Sequence, residues 1–362
     1  MQVSWSKGSL LDRVALRWQR ATERRGDPLD IFSELRSAKR VLIAPSDRVG
    51  GLFLGAPAYR LIRQAYPRAH IGLLVDETKA AIAEQIPFVD QVVTAALDKS
   101  LWTAAFKRTQ IELQRQEFDL LFCLGSDCSF RLAQLCKASG ARLRVGFGRE
   151  GIDPFNFEVV GKTDGIYEVE QYLSLLKTIG LEGRAELHWS LAQDKAEQIR
   201  IRYLGDSEER SHIVAIDLAR GEGKGLSKRH IDDIVGRVVE RGARALLFFS
   251  LAEKKTVNYL KETYGNRVIL FEQDDLITSA ALIESSQILI ACNTDLLHLA
   301  VSLQVPVVGI FAEKPERWIA ADNHLAKVVQ VQDLRAVNIA HIVQALDEAM
   351  RERRVRDGKG DG

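Results

Sequence analysis

The chain has 362 residues, of which 46% are hydrophobic and 27% charged, and its formal net charge is +1. That balance excludes a disordered chain, and at one domain per roughly 150 residues the length predicts two domains. A near-neutral charge gives no basic face for nucleic acid, which is not an expected partner. No apolar run reaches the roughly 20 residues of a membrane helix, and the N-terminus lacks the apolar core of a secretory signal, so the expected location is the cytoplasm. The four cysteines, Cys123, Cys128, Cys136 and Cys292, form no CxxC pair and read as buried reduced thiols, with no metal expected.

In chain order, the first predicted element is an extension over residues 1–38. From Lys7 to Arg25 six cations face only Asp12 and Glu23, while Leu10, Leu11, Val14 and Trp18 recur at helical spacing. This cationic amphipathic helix suits either the anionic inner face of a membrane or its own domain, and the sequence leaves both open. From Lys39 onward strand and helix patterns alternate, the signature of parallel βαβ units. A strand at Val41 to Pro45 precedes a helix from Leu52 to Tyr66 that Pro67 stops. Strands follow at His70 to Val75 and Gln91 to Val93, with a helix from Thr78 to Gln85 between them. A helix from Leu101 to Gln116 leads to the continuous apolar run Phe118 to Leu124, the pattern of a strand buried on both faces. A helix from Ser129 to Ala138 and a strand from Arg142 to Phe147 complete a Rossmann-like half.

Residues Gly148 to Gly165 read as a loop, Ile166 to Ile179 as a helix, and the patternless Leu181 to Ser190 as the linker. The domains therefore span 39–183 and 184–353, with a frayed tail at 354–362. In the second domain strands are predicted at His212 to Ile216, Arg244 to Phe249, Arg267 to Leu270, Gln287 to Ala291 and Val305 to Ile310. Helices are predicted at Lys228 to Arg241, Glu253 to Tyr264, Leu276 to Ser285 and Leu296 to Leu303. A last helix places Ile339, Ile342, Val343, Leu346 and Met350 on one face.

Ligands of open parallel sheets sit at the carboxyl ends of the strands, so the loops there hold the candidate site. After Ile216, three glycines within Asp217 to Gly225 let the backbone approach an anion, and Arg220 and Lys224 supply charge. The spacing is not that of a Walker loop, and a solvated loop is the alternative. After Ala291 the chain turns directly into a helix, where Thr294 and the first amides suit phosphate and His298 lies one turn on. A plain N-cap at Asn293 or Thr294 with a packed histidine is the alternative there. After Phe249, Glu253 suits a ribose diol or simply begins a helix. After Pro45, Asp47 is the one carboxylate of its loop, read as a general base or as a turn-forming residue. Neither half carries GxGxxG, which argues against a dehydrogenase.

Taken together, Val41 to Pro67, Phe118 to Phe147 and Gln287 to Trp318, with Thr294, His298-Leu299-Ala300 and Pro306-Val307-Val308, resemble glycosyltransferase family 9, the ADP-heptose:lipopolysaccharide heptosyltransferases. The resemblance implies the α/β GT-B architecture, two Rossmann-like parallel-sheet domains facing a cleft, the first for a lipid-linked saccharide acceptor and the second for a nucleotide-sugar donor resembling ADP-heptose. It implies inverting sugar transfer, with Lys224 at the phosphates, Glu253 at the ribose and Thr294 and His298 at the phosphate-binding turn. Cofactors are not expected, and the absence of a D-x-D sequence agrees with a metal-free mechanism. Two positions depart from the family. Its Gly-Asp turn, which carries the base, is Gly50-Gly51 here, leaving Asp47 as the nearest carboxylate. Its Asp-Thr-Gly is Asn293-Thr294-Asp295, which sets the carboxylate of Asp295 where a diphosphate would lie. A non-catalytic binding protein and another GT-B enzyme therefore stand beside the transferase.

Overall fold

The computed structural model describes residues 29–47, 50–97, 103–126, 129–148, 154–161, 163, 165–191, 193–205, 212–219 and 225–356. The cationic segment Lys7 to Arg25, Cys128, Arg220, Lys224 and the end of the tail lie outside the described residues. The chain divides into two compact units, Met1–Glu186 and Leu187–Gly362.

In the first unit the strands are β1 (Arg40–Ala44), β2 (His70–Asp76), β3 (Gln91–Ala95), β4 (Leu120–Cys123), β5 (Leu143–Phe147) and β6 (Phe157–Val159). They pair in parallel in the order β3-β2-β1-β4-β5-β6. Val41 to Ala44 and all of β4 are buried, as expected of central strands covered on both faces. The predicted helix from Leu52 to Tyr66 is two helices, Gly51–Leu54 and Ala56–Ala65. At the break, a Cβ on Gly55 would lie 2.1 Å from the hydroxyl of Tyr59, which donates at 2.9 Å to the Leu52 carbonyl. The helix predicted over Thr78 to Gln85 is a 3-10 turn, Glu77–Lys79, followed by one turn of α-helix, Ala80–Ala83. Strand β6 lies inside the predicted loop Gly148 to Gly165; at 3 residues on a sheet edge it is too short to show alternation.

In the second unit the strands are β7 (Ile213–Asp217), β8 (Arg244–Phe249), β9 (Val268–Glu272), β10 (Ile288–Cys292), β11 (Val307–Phe311) and β12 (Ala326–Gln330), all parallel in the order β12-β11-β10-β7-β8-β9. Strands β7, β10 and β11 are buried along their whole length. The helix Lys228–Glu240 begins where the Ser227 side chain caps the His230 amide, and Ile231, Ile234, Val235 and Val238 form its apolar stripe. That stripe shares one core with Ile342 and Leu346 of the last helix, Ile339–Arg356, and with Ile216, Leu247, Ile290 and Ile310 of the sheet. Two elements were absent from the pattern reading. Edge strand β12 buries only Val329 fully, and the helix Gln193–Leu204 buries only Ala196 and Leu204, so neither has a strong apolar period.

Candidate functional site

In the second sheet the chain steps outward from β7 to β9, returns, and steps the other way from β10 to β12. Neighbours β7 and β10 therefore send their following segments in opposite directions, which opens a crevice at their carboxyl ends. Strand β7 ends on Asp217 and β10 on Cys292, and the helix Asp295–Ser302 opens three residues later. Thr294 stands at the N-cap of that helix with an extended backbone, but its side chain makes no capping bond. Its hydroxyl donates instead at 2.6 Å to the carboxylate of Asp217, across to the neighbouring strand. The N–H groups of the helix's first turn, which have no acceptor within the helix, are the anion-receptive feature of the turn.

Asp217 is 2% exposed and also accepts the Ala219 amide at 2.9 Å. Burial pushes its carboxyl up to about 6, against the two hydrogen bonds that favour the ion, and the charges of Asp295 and Glu253 add to the push. Burial, with the charge of Asp217, also raises the Cys292 thiol to about 12, so this cysteine is no nucleophile at neutral pH.

His298 is fully enclosed, with its ring 5.4 Å from that of Trp318, so it stands behind the turn. Its Nε2 lies 2.7 Å from Oδ1 of Asn293, whose amide nitrogen donates to Glu313 in the loop after β11. With the amide so oriented, Nε2 of His298 is the donor. The turn is thus held from two neighbouring strand ends, by Asp217 after β7 and Glu313 after β11, and by the buried histidine of its own helix. After β8, Glu253 is 7% exposed and closes a capping box: its Oε2 accepts the amide of Ser250 at 3.1 Å and its hydroxyl at 2.6 Å. Asp295, half-buried, begins the helix, so Thr294, Asp295, Glu253 and His298 all gather at one end of this sheet. Asp217 and Glu313 were not singled out from sequence. A carboxylate closing an otherwise apolar first strand was a usable signal for Asp217; Glu313 had none.

The first sheet has its own switch point, between β1 and β4. Asp47, half-buried in the loop after β1, accepts the Ser129 amide at 3.0 Å. Ser129 in turn caps the helix Phe130–Ala138, its hydroxyl accepting the Leu132 amide at 3.2 Å. Gly50 adopts φ 73° ahead of the helix Gly51–Leu54. A Cβ on Gly51 would lie 2.2 Å from the carbonyl oxygen of Ser46, so a side chain at this position would require the backbone to shift. Among the described residues no cluster of three or more His, Cys, Asp or Glu is arranged to hold a metal ion. Nor is any described helix long and apolar enough to cross a membrane.

The model of glycosyltransferase family 9 (heptosyltransferase) matches residues 106–347, which include the whole β7–β10 crevice. The chain belongs to this family. It is 21% identical over 325 residues to the lipopolysaccharide core heptosyltransferase OpsX of Haemophilus influenzae, covering 85% of this chain and 88% of that one. Among solved structures, the family 9 glycosyl transferase of Veillonella parvula superposes with a TM-score of 0.74 at 17% identity, over 87% of this chain and 98% of that one. Escherichia coli heptosyltransferase WaaC with ADP superposes with a TM-score of 0.68 at 18% identity, covering 86% and 99%. These likenesses place both six-stranded sheets in the GT-B-like fold. Asp47 and Gly51 precede the matched residues; Glu253, Thr294, Asp295 and His298 lie within them.

Proposed function

We propose that this family 9 member is an inverting glycosyltransferase, moving a sugar, heptose foremost, from a nucleoside diphosphate donor to a lipopolysaccharide-core acceptor. The observation that carries the reading is the turn at the β7–β10 switch point, where the helix Asp295–Ser302 opens its amides at the sheet's carboxyl end. The second unit takes the donor, with Arg220 and Lys224 at the phosphates and Glu253 at the ribose; the ADP held by WaaC supports that assignment. The first unit takes the acceptor, and Asp47 is the base. Its carboxylate receives the proton of the acceptor hydroxyl while the oxygen forms a bond to the anomeric carbon. The bond from that carbon to the diphosphate breaks on the opposite face, inverting the centre, and helix dipole and cations take up the leaving charge. Cytoplasmic and peripheral on the inner membrane face, through residues 7–25, is the location this chemistry suits; liposome binding retained by a chain beginning at Ser37 would remove that role for the segment.

The test is turnover of ADP-, GDP- and UDP-linked sugars by the full chain and by Asp47→Asn. Loss of a general base costs about 10²–10⁴-fold in kcat, with KM little changed. Unchanged turnover removes Asp47 as base. The glycine at position 51, closely packed on the Ser46 backbone, favours a second reading, a non-catalytic binding protein of envelope biosynthesis. Nucleotide binding without turnover of any of these donors would support it.

A further inference from the structure

We propose that nucleotide binding at the β10 turn is coupled to uptake of one proton by Asp217; this inference rests on the nucleotide reading given above. Thr294 is the N-cap of the helix Asp295–Ser302, so phosphate received on that helix's first amides meets the Thr294–Asp217 pair, where the hydroxyl is 2.6 Å from the carboxylate. In that arrangement Thr294 spends its only proton on Asp217 and turns lone pairs, not a donor, toward an incoming oxyanion. Proton uptake from solvent reverses the bond. An O–H forms on Oδ2 of Asp217 and donates to Oγ of Thr294, whose own proton is then free for a phosphate oxygen. The same step removes a buried negative charge beneath the ligand.

The surroundings favour it from each strand end. Asp217 is 2% exposed, and Asp295 from the β10 side and Glu253 from the β8 side raise its carboxyl further, to about 6. Cys292, the other titratable group beside it, stays a thiol. Among the described residues of its own segment Asp217 accepts the Ala219 amide; Arg220 and Lys224 further on lie outside the described residues. An added phosphate charge disfavours the carboxylate in the same sense as Asp295 does.

Calorimetric titration of the full chain with ADP, from about pH 5.5 to about pH 8, tests this, with Asp217→Asn as the comparison. The terminal phosphate of ADP itself titrates near pH 6, so the reading is the difference between the two proteins. Above pH 6, wild-type affinity should fall relative to Asp217→Asn by up to about tenfold per pH unit, the limiting slope for one proton. Repeating wild-type titrations in buffers of different ionisation enthalpy reads proton uptake without any variant. Parallel pH profiles with equal uptake in both proteins would overturn the coupling while leaving nucleotide binding intact. Failure of ADP, GDP and UDP to bind at any pH would overturn the nucleotide reading and this inference with it.

Discussion

Gly51→Ala adds one methyl where the structure leaves none. Its carbon would sit 2.2 Å from the Ser46 carbonyl oxygen and 2.9 Å from the carbonyl and β-carbons of that residue. An unstrained contact needs about 3.5 Å, so backbone must move by roughly 1.3 Å. Ser46 has nowhere to retreat: it is 4% exposed, and its Cβ already lies 2.8 Å from where a Cβ on Gly125 would be. Overpacking of this kind costs about 1–3 kcal/mol, and a clash against buried backbone belongs at the upper end. For a unit of this size that corresponds to a fall of about 6–12 °C in Tm. Differential scanning calorimetry of the full chain suits the measurement, because two units need not melt together and only the transition of the first should move. A Gly51→Ala protein melting within about 1 °C of wild type would refute the reasoning.

Three further outcomes follow from the same contacts. Asp217 is raised in the folded state to about 6, so the folded chain binds its proton more tightly than the unfolded one, and stability present below about pH 4 is lost as pH rises through 6. Asp217→Asn should gain on wild type by about 2–3 kcal/mol between pH 4 and pH 7 in urea unfolding; parallel curves would show that the carboxylate is not so buried. Thr294→Val removes one of the two donors to that carboxylate and should cost about 1–3 kcal/mol at pH 7, with a smaller loss at pH 5, by the same assay. Tyr59→Phe leaves the Leu52 carbonyl without its hydroxyl donor in a fully buried site, and a loss of about 1–3 kcal/mol in the first unit is expected by calorimetry.

The sequence by itself determined the alternation of strands and helices, the two-unit plan and the placing of the candidate loops at strand ends. It did so because strands buried on both faces, such as β7 and β10, read as unbroken apolar runs, and stripes such as Ile231 to Val238 keep helical period. Strand β6, only three residues long, and β12, in which Val329 alone is buried, carry no such run. Tertiary structure alone decided what the candidate residues do to one another. Thr294 and Asp217 are 77 positions apart, and only the crossing of β10 beside β7 turns a prospective cap into a donor to a buried carboxylate. The link from Asn293 to Glu313 likewise depends on the loop after β11. Gly51 is the sharpest instance: the letter shows only a glycine, whereas the 2.2 Å approach of a Cβ there to Ser46 shows how closely the backbone packs. Local propensity is written along the chain, but hydrogen-bond partners and steric room are set by strand order, which no local pattern encodes.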